Sequence, residues 1–191
     1  NFSKKLTIAT KDFFLKSKNF ENISIDIRFE DLEKLRKDRA EALKFRRLVN
    51  PQEVNGTVNY KNKSYSARIR LKGDLSDHWG NIKQWSLKFK LRKKKSILGM
   101  NEFSIIMPET RDFPFNFLIE ELFKDNNILS TKYEMIKVKF NGENWGLMLM
   151  EEQYSDSFYA RNKIKEAPIF RFTNESTEIT SLSNSKEKNI M

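Results

Sequence analysis

Residues 68–91 read RIRLKGDLSDHWGNIKQWSLKFKL, two segments of alternating apolar and basic residues on either side of a polar loop. An apolar side chain at every second position is the pattern of a half-buried strand. The apolar series is Tyr65, Ala67, Ile69 and Leu71 in the first segment, and Trp85, Leu87, Phe89 and Leu91 in the second. The residues between them include Arg68, Arg70, Lys72, Lys88 and Lys90. Two adjacent strands are therefore predicted to present a row of cations on one face of a sheet.

The loop between these strands, residues 73–80, holds the only histidine of the chain and several small polar residues. Gly73 permits close approach of the backbone to a ligand, and small polar side chains such as Ser76 can hydrogen-bond an anion. Together with the cationic strands, the loop predicts a phosphate site. The alternative is that the basic residues are only the solvated outer face of an antiparallel sheet.

The composition is that of a globular domain with a strongly basic surface. The 191 residues carry a formal net charge of +10, and 38% of them are hydrophobic. Charge of this sign favours an anionic partner such as a nucleotide, a nucleic acid, an acidic glycan or an anionic lipid surface. The absence of cysteine excludes disulfides and thiolate chemistry. No apolar run approaches the roughly 18 residues of a membrane span.

The flanking segments predict an α+β domain. The predicted elements are a strand at 23–29, a helix at 30–48, a hairpin at 54–72 with its turn at Lys61-Asn62-Lys63, a helix at 112–126 and a hairpin at 133–150 with its turn at Asn141-Gly142. From these we expect a mainly antiparallel sheet of about five or six strands, backed by the two helices. The chain divides into an N-terminal strand and basic amphipathic helix (1–53), a central region (54–172) and a polar tail or linker (173–191).

Several short motifs occur in an order and spacing that resemble the spore-coat-protein-H-like (CotH) kinase family. They are RLKGD at 70–74, WSLKF at 85–89, GM at 99–100, PETR at 108–111, FNG at 140–142, WG at 145–146 and EE at 151–152. The resemblance covers roughly residues 54–172 and implies that they are a nucleotide-binding region. Members of the family are atypical kinases, often secreted or surface-associated, that use ATP and a divalent metal to phosphorylate protein serine or threonine.

The resemblance also implies roles for individual residues, by similarity to a protein-kinase N-lobe. In such a lobe a strand lysine holds the phosphates and a helix glutamate orients that lysine. Lys88 is the first candidate for the phosphate lysine and Lys72 is the second. Glu120 or Glu121, on the predicted helix at 112–126, would be the orienting carboxylate.

Further cofactor-binding positions follow from the same similarity. Gly73, Asp74 and Ser76 would lie in the loop beside the phosphates. Glu151 would follow the last strand, where a kinase lobe receives adenine. The implied cofactors are ATP and Mg²⁺ or Mn²⁺, the implied partners are a nucleotide and a protein substrate or acidic polymer, and the implied location is extracytoplasmic or at the cell surface.

The loop departs from the family pattern, which is typically glycine-asparagine-serine-serine, because here it reads Gly73-Asp74-Leu75-Ser76. The added acid indicates either a metal-bridged phosphate contact through Asp74 or Asp77, or a degenerate site. Asp74, Asp77 and His78 are also a candidate metal set of their own, for which the alternative is a hydrogen-bonded turn. The catalytic carboxylates that phosphoryl transfer needs are expected downstream of Met191, so enzyme activity of this fragment stays open.

Two functions from different classes therefore fit the sequence. One is the N-terminal portion of a CotH-like kinase that transfers phosphate from ATP to protein serine or threonine. The other is a non-catalytic module that binds an acidic glycan or another polyanion at the cell envelope. Specific nucleic-acid binding is not predicted, because no recognised motif accompanies the charge and the aromatic residues lie mainly at core-facing positions.

Overall fold

The computed structural model describes residues 19–165, 167–172 and 177–180. Within these residues the chain forms nine strands and three α-helices. The strands are β1 (Glu21–Ile27), β2 (Val54–Tyr60), β3 (Lys63–Leu71), β4 (Leu87–Leu91), β5 (Glu102–Ile106), β6 (Tyr133–Phe140), β7 (Glu143–Glu152), β8 (Ile169–Phe172) and β9 (Thr177–Thr180). The helices are α1 (Phe29–Phe45), α2 (Phe115–Asp125) and α3 (Asp156–Asn162).

Seven strands close into a barrel in the order β1-β2-β3-β4-β5-β7-β6. β1 closes the ring by pairing in parallel with β6, with Glu21 opposite Ile136 and Ile25 opposite Phe140. The other pairs in the ring are antiparallel. The side chains that alternate inward on each strand fill the interior, so that Ile25, Ile69 and Phe103 are fully buried. The barrel is therefore a packed core rather than a channel.

The predicted fold, a mainly antiparallel sheet backed by helices as in a protein-kinase N-lobe, is wrong. The strands bury their apolar face against one another across the barrel, so that helices are not needed to cover it. The alternation in the sequence identified which face of each strand is apolar. It could not identify the parallel partner of β1, which lies more than 100 residues further along the chain.

The predicted helix at 30–48 is confirmed as α1, which packs against β2 and β3. Leu32, Leu35 and Ala42 form its buried face. Asp38 is also buried, and its carboxylate accepts hydrogen bonds from the backbone N–H of Gln52, at 2.6 Å, and from the Gln52 side-chain amide, at 2.8 Å. This pair fixes the helix to the segment that leads into β2.

The two predicted hairpin turns are confirmed. Lys61 and Asn62 adopt φ of 45° and 61°, and Asn141 and Gly142 adopt φ of 46° and 83°. Left-handed conformation at both central residues matches the right-handed twist of the strands on either side of a two-residue hairpin loop. The Asn141 side chain also bonds to the backbone of Ile27, at 2.7 and 3.0 Å, which ties the β6–β7 turn to the end of β1.

Of the predicted polar tail, residues 177–180 form β9, which pairs with β8 outside the barrel. Residues 173–176 and 181–191 lie outside the described part of the chain. Across the residues that the structure describes, no helix has the length and apolar character needed to cross a membrane.

Candidate functional site on the outer wall of the barrel

The loop at 73–86 is pinned to the end of β3 by backbone hydrogen bonds. The N–H of Lys72 donates to the carbonyl of Ser86, at 2.9 Å, and the N–H of Ser86 donates to the carbonyl of His78, at 2.6 Å. A short 3₁₀ turn, Ser76–His78, turns the chain back. Its buried imidazole contacts the Ser86 hydroxyl through Nδ1, at 2.9 Å. His78 is therefore a structural part of the loop.

Gly73 has a left-handed backbone conformation at the start of this loop. Its φ is +90°, which side-chain-bearing residues rarely adopt, and a Cβ atom at this position would lie 2.0 Å from Cδ2 of His78. The Gly73 carbonyl accepts a hydrogen bond from the indole N–H of Trp79, at 3.1 Å. Glycine is required here by the backbone and by the packed imidazole together.

Helix α1 holds the far side of the loop through Arg39. The guanidinium donates to the carbonyls of Trp79, at 2.7 Å, and Asn81, at 3.0 Å, and lies 5.4 Å from the ring centroid of Trp85. Sequence reasoning missed this contact, because mixed charges on a helix usually indicate a solvated face. The two acids of the loop, Asp74 and Asp77, are exposed.

Lys72 extends from the end of β3 into a charged cluster on the outside of the barrel. Its ammonium group is paired with the carboxylate of Glu151 on β7. Arg111 donates from Nε to the same carboxylate, at 2.9 Å, and the hydroxyl of Tyr133 donates to it at 3.3 Å. The side chains of Lys72 and Glu151 are only 17% and 8% exposed. Two largely desolvated cations thus share one carboxylate.

The pKa shifts of the cluster reflect this imbalance. Burial lowers the pKa of Lys72, and the attraction of Glu151 only partly offsets it, with Arg111 and Lys88 adding repulsion. Burial alone would raise the pKa of Glu151, but Lys72 and Arg111 outweigh it and hold that pKa below its usual value. The carboxylate is therefore ionised at neutral pH, and the positive charge around it is in excess.

Lys88 lies on the same outer face, beside Arg70 on β3 and Ser104 on β5. Burial also lowers the pKa of Lys88. The carboxylate of Glu102, whose Oε2 lies 4.0 Å from the Lys88 Nζ, partly offsets this shift. The predicted row of cations on β3 and β4 is thus present. This outer surface of β3, β4, β5 and β7, the Lys72 wall, carries Lys72, Lys88, Ser104, Arg111 and Glu151.

Ser104 occupies the middle of the Lys72 wall. Its register partners are Lys88 on one side and Glu151 on the other. Its hydroxyl is fully buried and has no hydrogen-bond partner among the described residues. Leaving such a group unsatisfied costs about 1–3 kcal/mol, which a ligand oxygen entering between the two neighbours would recover.

The two glutamates predicted to orient the phosphate lysine belong to α2. Glu120 is on α2 and is buried, with 4% of its surface exposed. The side chain of Glu121 lies outside the described residues. The carboxylate that pairs with Lys72 in the structure is Glu151.

No group of three or more His, Asp or Glu side chains in the described part of the chain is arranged to hold a metal ion. Oδ2 of Asp77 lies 4.0 Å from Nε2 of the adjacent His78. The other nitrogen of that imidazole is taken by Ser86. Asp74 and Asp77 are thus exposed loop carboxylates without a third ligand beside them.

Sequence reasoning missed Arg111 and Ser104 as members of the site. Arg111 belonged to the PETR motif, and the structure shows why that motif matters: the 3₁₀ turn Pro108–Arg111 delivers the guanidinium to Glu151. Ser104 could have been found from the alternation Phe103-Ser104-Ile105, which places a hydroxyl on the outward face of a strand.

The fold and the site define a closed barrel that carries a cationic cluster, centred on one shared carboxylate, on its outer wall. The family model described as CotH kinase protein matches residues 69–190. Because this match spans more than half of the chain, the chain belongs to the CotH kinase protein family. The matched region begins in β3, just before Lys72, and takes in the whole Lys72 wall. No curated protein matches the chain.

Proposed function

We propose that this chain is the N-terminal, nucleotide-binding portion of a CotH-family kinase, which binds ATP with Mg²⁺ or Mn²⁺ and transfers phosphate to serine or threonine of a protein. The observation that carries the proposal is the pairing of Lys72 and Arg111 with the single carboxylate of Glu151. Two cations that are mostly removed from water but only half neutralised favour the binding of an anion.

Two features of the Lys72 wall suit a phosphate group in particular. The Arg111 guanidinium and the Lys72 ammonium supply several donors to one region, which matches the several oxygens of a phosphate. The buried Ser104 hydroxyl lacks a partner within the described residues and can donate to one more oxygen. Gly73 turns the backbone directly after Lys72, with φ of +90°, and His78 packs against it, so the loop is well packed where it adjoins the cluster.

Each residue of the Lys72 wall has a task in this proposal. Glu151 holds the Lys72 ammonium group in a fixed position, as the glutamate of the kinase lysine–glutamate pair does. Lys72 and Arg111 neutralise phosphate charge, and Lys88 adds a further cation along the same row. Bound ATP would supply the phosphoryl group to be transferred. The described residues offer no cluster of metal ligands, so the Mg²⁺ or Mn²⁺ would enter together with the bound ATP.

The location and the acceptor complete the proposal. An extracytoplasmic or cell-surface position and a protein acceptor rest on membership of the CotH kinase protein family. The strongly basic surface supports an acidic acceptor, since the net charge of +10 attracts anionic partners.

Calorimetric titration with ATP and Mg²⁺ tests the nucleotide site. Loss of a charge-assisted phosphate contact costs about tenfold or more in affinity, so Lys72→Met is expected to bind ATP at least tenfold more weakly. Lys88→Met separates the two candidate lysines. Lys90→Met is the matched control, because Lys90 lies on the same strand but is 61% exposed and is paired with Glu102 at 2.6 Å. Unchanged affinity in both Lys72→Met and Lys88→Met would contradict the assignment.

Phosphate transfer is a separate measurement. With radiolabelled ATP, Mg²⁺ or Mn²⁺ and a generic protein acceptor, the longest native chain should label serine or threonine, and this label should be lost in Lys72→Met and kept in Lys90→Met. Labelling that persists in Lys72→Met would remove the Lys72 wall from the reaction. ATP binding without any transfer by the longest native chain would leave a nucleotide-binding protein and overturn the kinase activity.

A further inference from the structure

A second polar surface lies on the other side of the barrel. An open groove of about 970 Å³ runs over the outer faces of β1, β2, β6 and the start of β7. In the ring order these strands lie opposite β4 and β5, which carry Lys88 and Ser104. This surface is the groove wall. It contains none of the residues assigned to the nucleotide.

The charge of the groove wall is strongly positive. Four lysines line it, against one carboxylate: Lys61, Lys63, Lys137, Lys139 and Glu21. Glu21 is engaged by Lys61, at 2.8 Å. Lys137 and Lys139 alternate on the outward face of β6 and are both exposed, so that they stand roughly 7 Å apart along the strand. Their charge is available to a ligand that spans both.

Between the lysines the groove is lined by neutral groups that both donate and accept hydrogen bonds. Four asparagines and two serines line it: Asn22, Asn59, Asn62, Asn144, Ser24 and Ser64. Asn22 and Lys137 are register partners on β1 and β6, so an amide and an ammonium group stand side by side on one face. Such a surface suits a ligand that carries hydroxyl groups as well as negative charge.

We propose that the groove wall binds an acidic polysaccharide, a chain of sugars that bear carboxylates. The carboxylates would pair with Lys137, Lys139 and Lys63, and the sugar hydroxyls would bond with the asparagine amides between them. The proposal concerns a different surface from the nucleotide site and does not depend on it. The groove wall would thus bind a ligand other than the nucleotide.

The architecture argues against a peptide or a nucleic acid in the same groove. β1 is paired on both sides, by β2 and by β6, so no free strand edge is offered to an extended peptide. The residues that line the groove include one aromatic ring, Tyr60, and no arginine. Single-stranded nucleic acids are usually held by several stacked aromatic rings and by arginine. The abundance of amides favours the carbohydrate.

The test is titration calorimetry of the full chain with polygalacturonate, a polymer of uronic acid. Reversal of two charges in Lys137→Glu/Lys139→Glu is expected to weaken binding at least tenfold, with a steep dependence on salt in the wild type. The control reverses two charges elsewhere, in Lys37→Glu/Lys95→Glu, and should bind nearly as the wild type does. Should the β6 variant unfold, Lys63→Glu, at the exposed start of β3, replaces it with a smaller expected loss.

Two further measurements separate the carbohydrate from any other anion. Asn22→Ala should weaken binding of polygalacturonate but leave binding of polyglutamate unchanged, since only the sugar carries hydroxyls for the amide. ATP affinity should be the same in Lys137→Glu/Lys139→Glu and in Lys37→Glu/Lys95→Glu. Equal losses of polygalacturonate binding in the two charge-reversal variants, or polyglutamate binding as tight as that of polygalacturonate, would overturn the proposal.

Discussion

The Lys72 wall and the groove wall are both basic outer surfaces of one barrel, but their lysines are held in opposite ways. Lys72 is 17% exposed and shares the carboxylate of Glu151 with Arg111. Lys61, on the groove wall, is 63% exposed and forms an ion pair with Glu21 at 2.8 Å. Burial and sharing make the first set of charges part of the fold, whereas water screens the second set. Similar residues on similar strands therefore differ in what their removal does.

The largest difference between the walls is expected on removal of a carboxylate. Glu151→Gln leaves Lys72 and Arg111 together, mostly out of water, without the carboxylate that they share. Breaking a buried ion pair in this way typically costs about 3–5 kcal/mol of unfolding free energy. The measurement is urea unfolding at neutral pH. Glu21→Gln, which removes a carboxylate from the exposed pair on the groove wall, is the matched control and should change nothing measurable.

Similar losses of unfolding free energy in Glu151→Gln and Glu21→Gln would show that the charges of the two walls are equally exposed to water. A loss confined to Glu151→Gln would show that only the Lys72 wall depends on a buried ion pair. The double variant Lys72→Met/Glu151→Leu should then recover part of the stability, because an apolar pair replaces the charged one and leaves only Arg111 without its partner.

A smaller difference is expected between two glycines, one beside each wall. Gly73 and Gly146 both have positive φ, of +90° and +74°. A Cβ at Gly73 meets the His78 ring at 2.0 Å, whereas at Gly146 there is nothing within 4 Å. Gly73→Ala should therefore combine backbone strain with overpacking and cost roughly 2–4 kcal/mol, whereas Gly146→Ala should cost about 1 kcal/mol from strain alone.

Thermal unfolding of the two alanine variants checks this prediction. The difference between them isolates the contact with His78, since both variants carry the backbone strain. Gly73→Ala/His78→Ala removes the imidazole and should bring the loss at Gly73 closer to that of Gly146→Ala, after subtraction of the loss caused by His78→Ala alone. Equal losses in the two single variants would mean that the loop is free to move away from the ring.

The sequence predicted the local parts of the Lys72 wall well. Alternation of apolar residues placed Arg70 and Lys88 on the outward face of neighbouring strands, and the structure confirms this placement, with Lys72 directly after the last residue of β3. Gly73 has the positive φ that glycine favours, but the side chain beside it is the imidazole of His78, so the expected close approach of the backbone to a ligand stays a prediction. These features depend on residues that are near one another in the chain, where strand periodicity and glycine sterics act directly.

The pairings between residues that were not predicted depend on long sequence separations. Glu151, the partner of Lys72, is 79 residues away, and the amide of Ile27 meets the Asn141 side chain across 114 residues. Helical backing was expected because a half-apolar sheet needs a cover, but barrel closure provides that cover as well. The periodicity of a strand predicts that it has an apolar face, but it does not predict which strand will pair with it.

The smallest expected effect is a dependence of stability on pH that arises at His78, in the loop beside the Lys72 wall. Burial lowers the pKa of His78 below its ordinary value of 6.5. Above that value both the folded and the unfolded chain hold a neutral imidazole, and the full stability is present. As the pH falls below it, the unfolded chain takes up the proton first, and stability decreases until the pKa of the folded state is passed.

His78 is the only histidine in the chain, so the interval between about pH 7 and pH 5 reports mainly on this one group. One proton changes the unfolding free energy by at most about 1.4 kcal/mol per pH unit, which limits the loss over this interval to about 2 kcal/mol. His78→Asn keeps a side-chain amide near Ser86 and should make urea unfolding nearly independent of pH between these values. The depressed pKa of Glu151 has the same sign but acts below 4.5, where its protonation removes the partner of Lys72 and Arg111. If His78→Asn keeps the full wild-type loss between pH 7 and pH 5, the loss arises from groups other than His78, and burial does not lower the pKa of this imidazole.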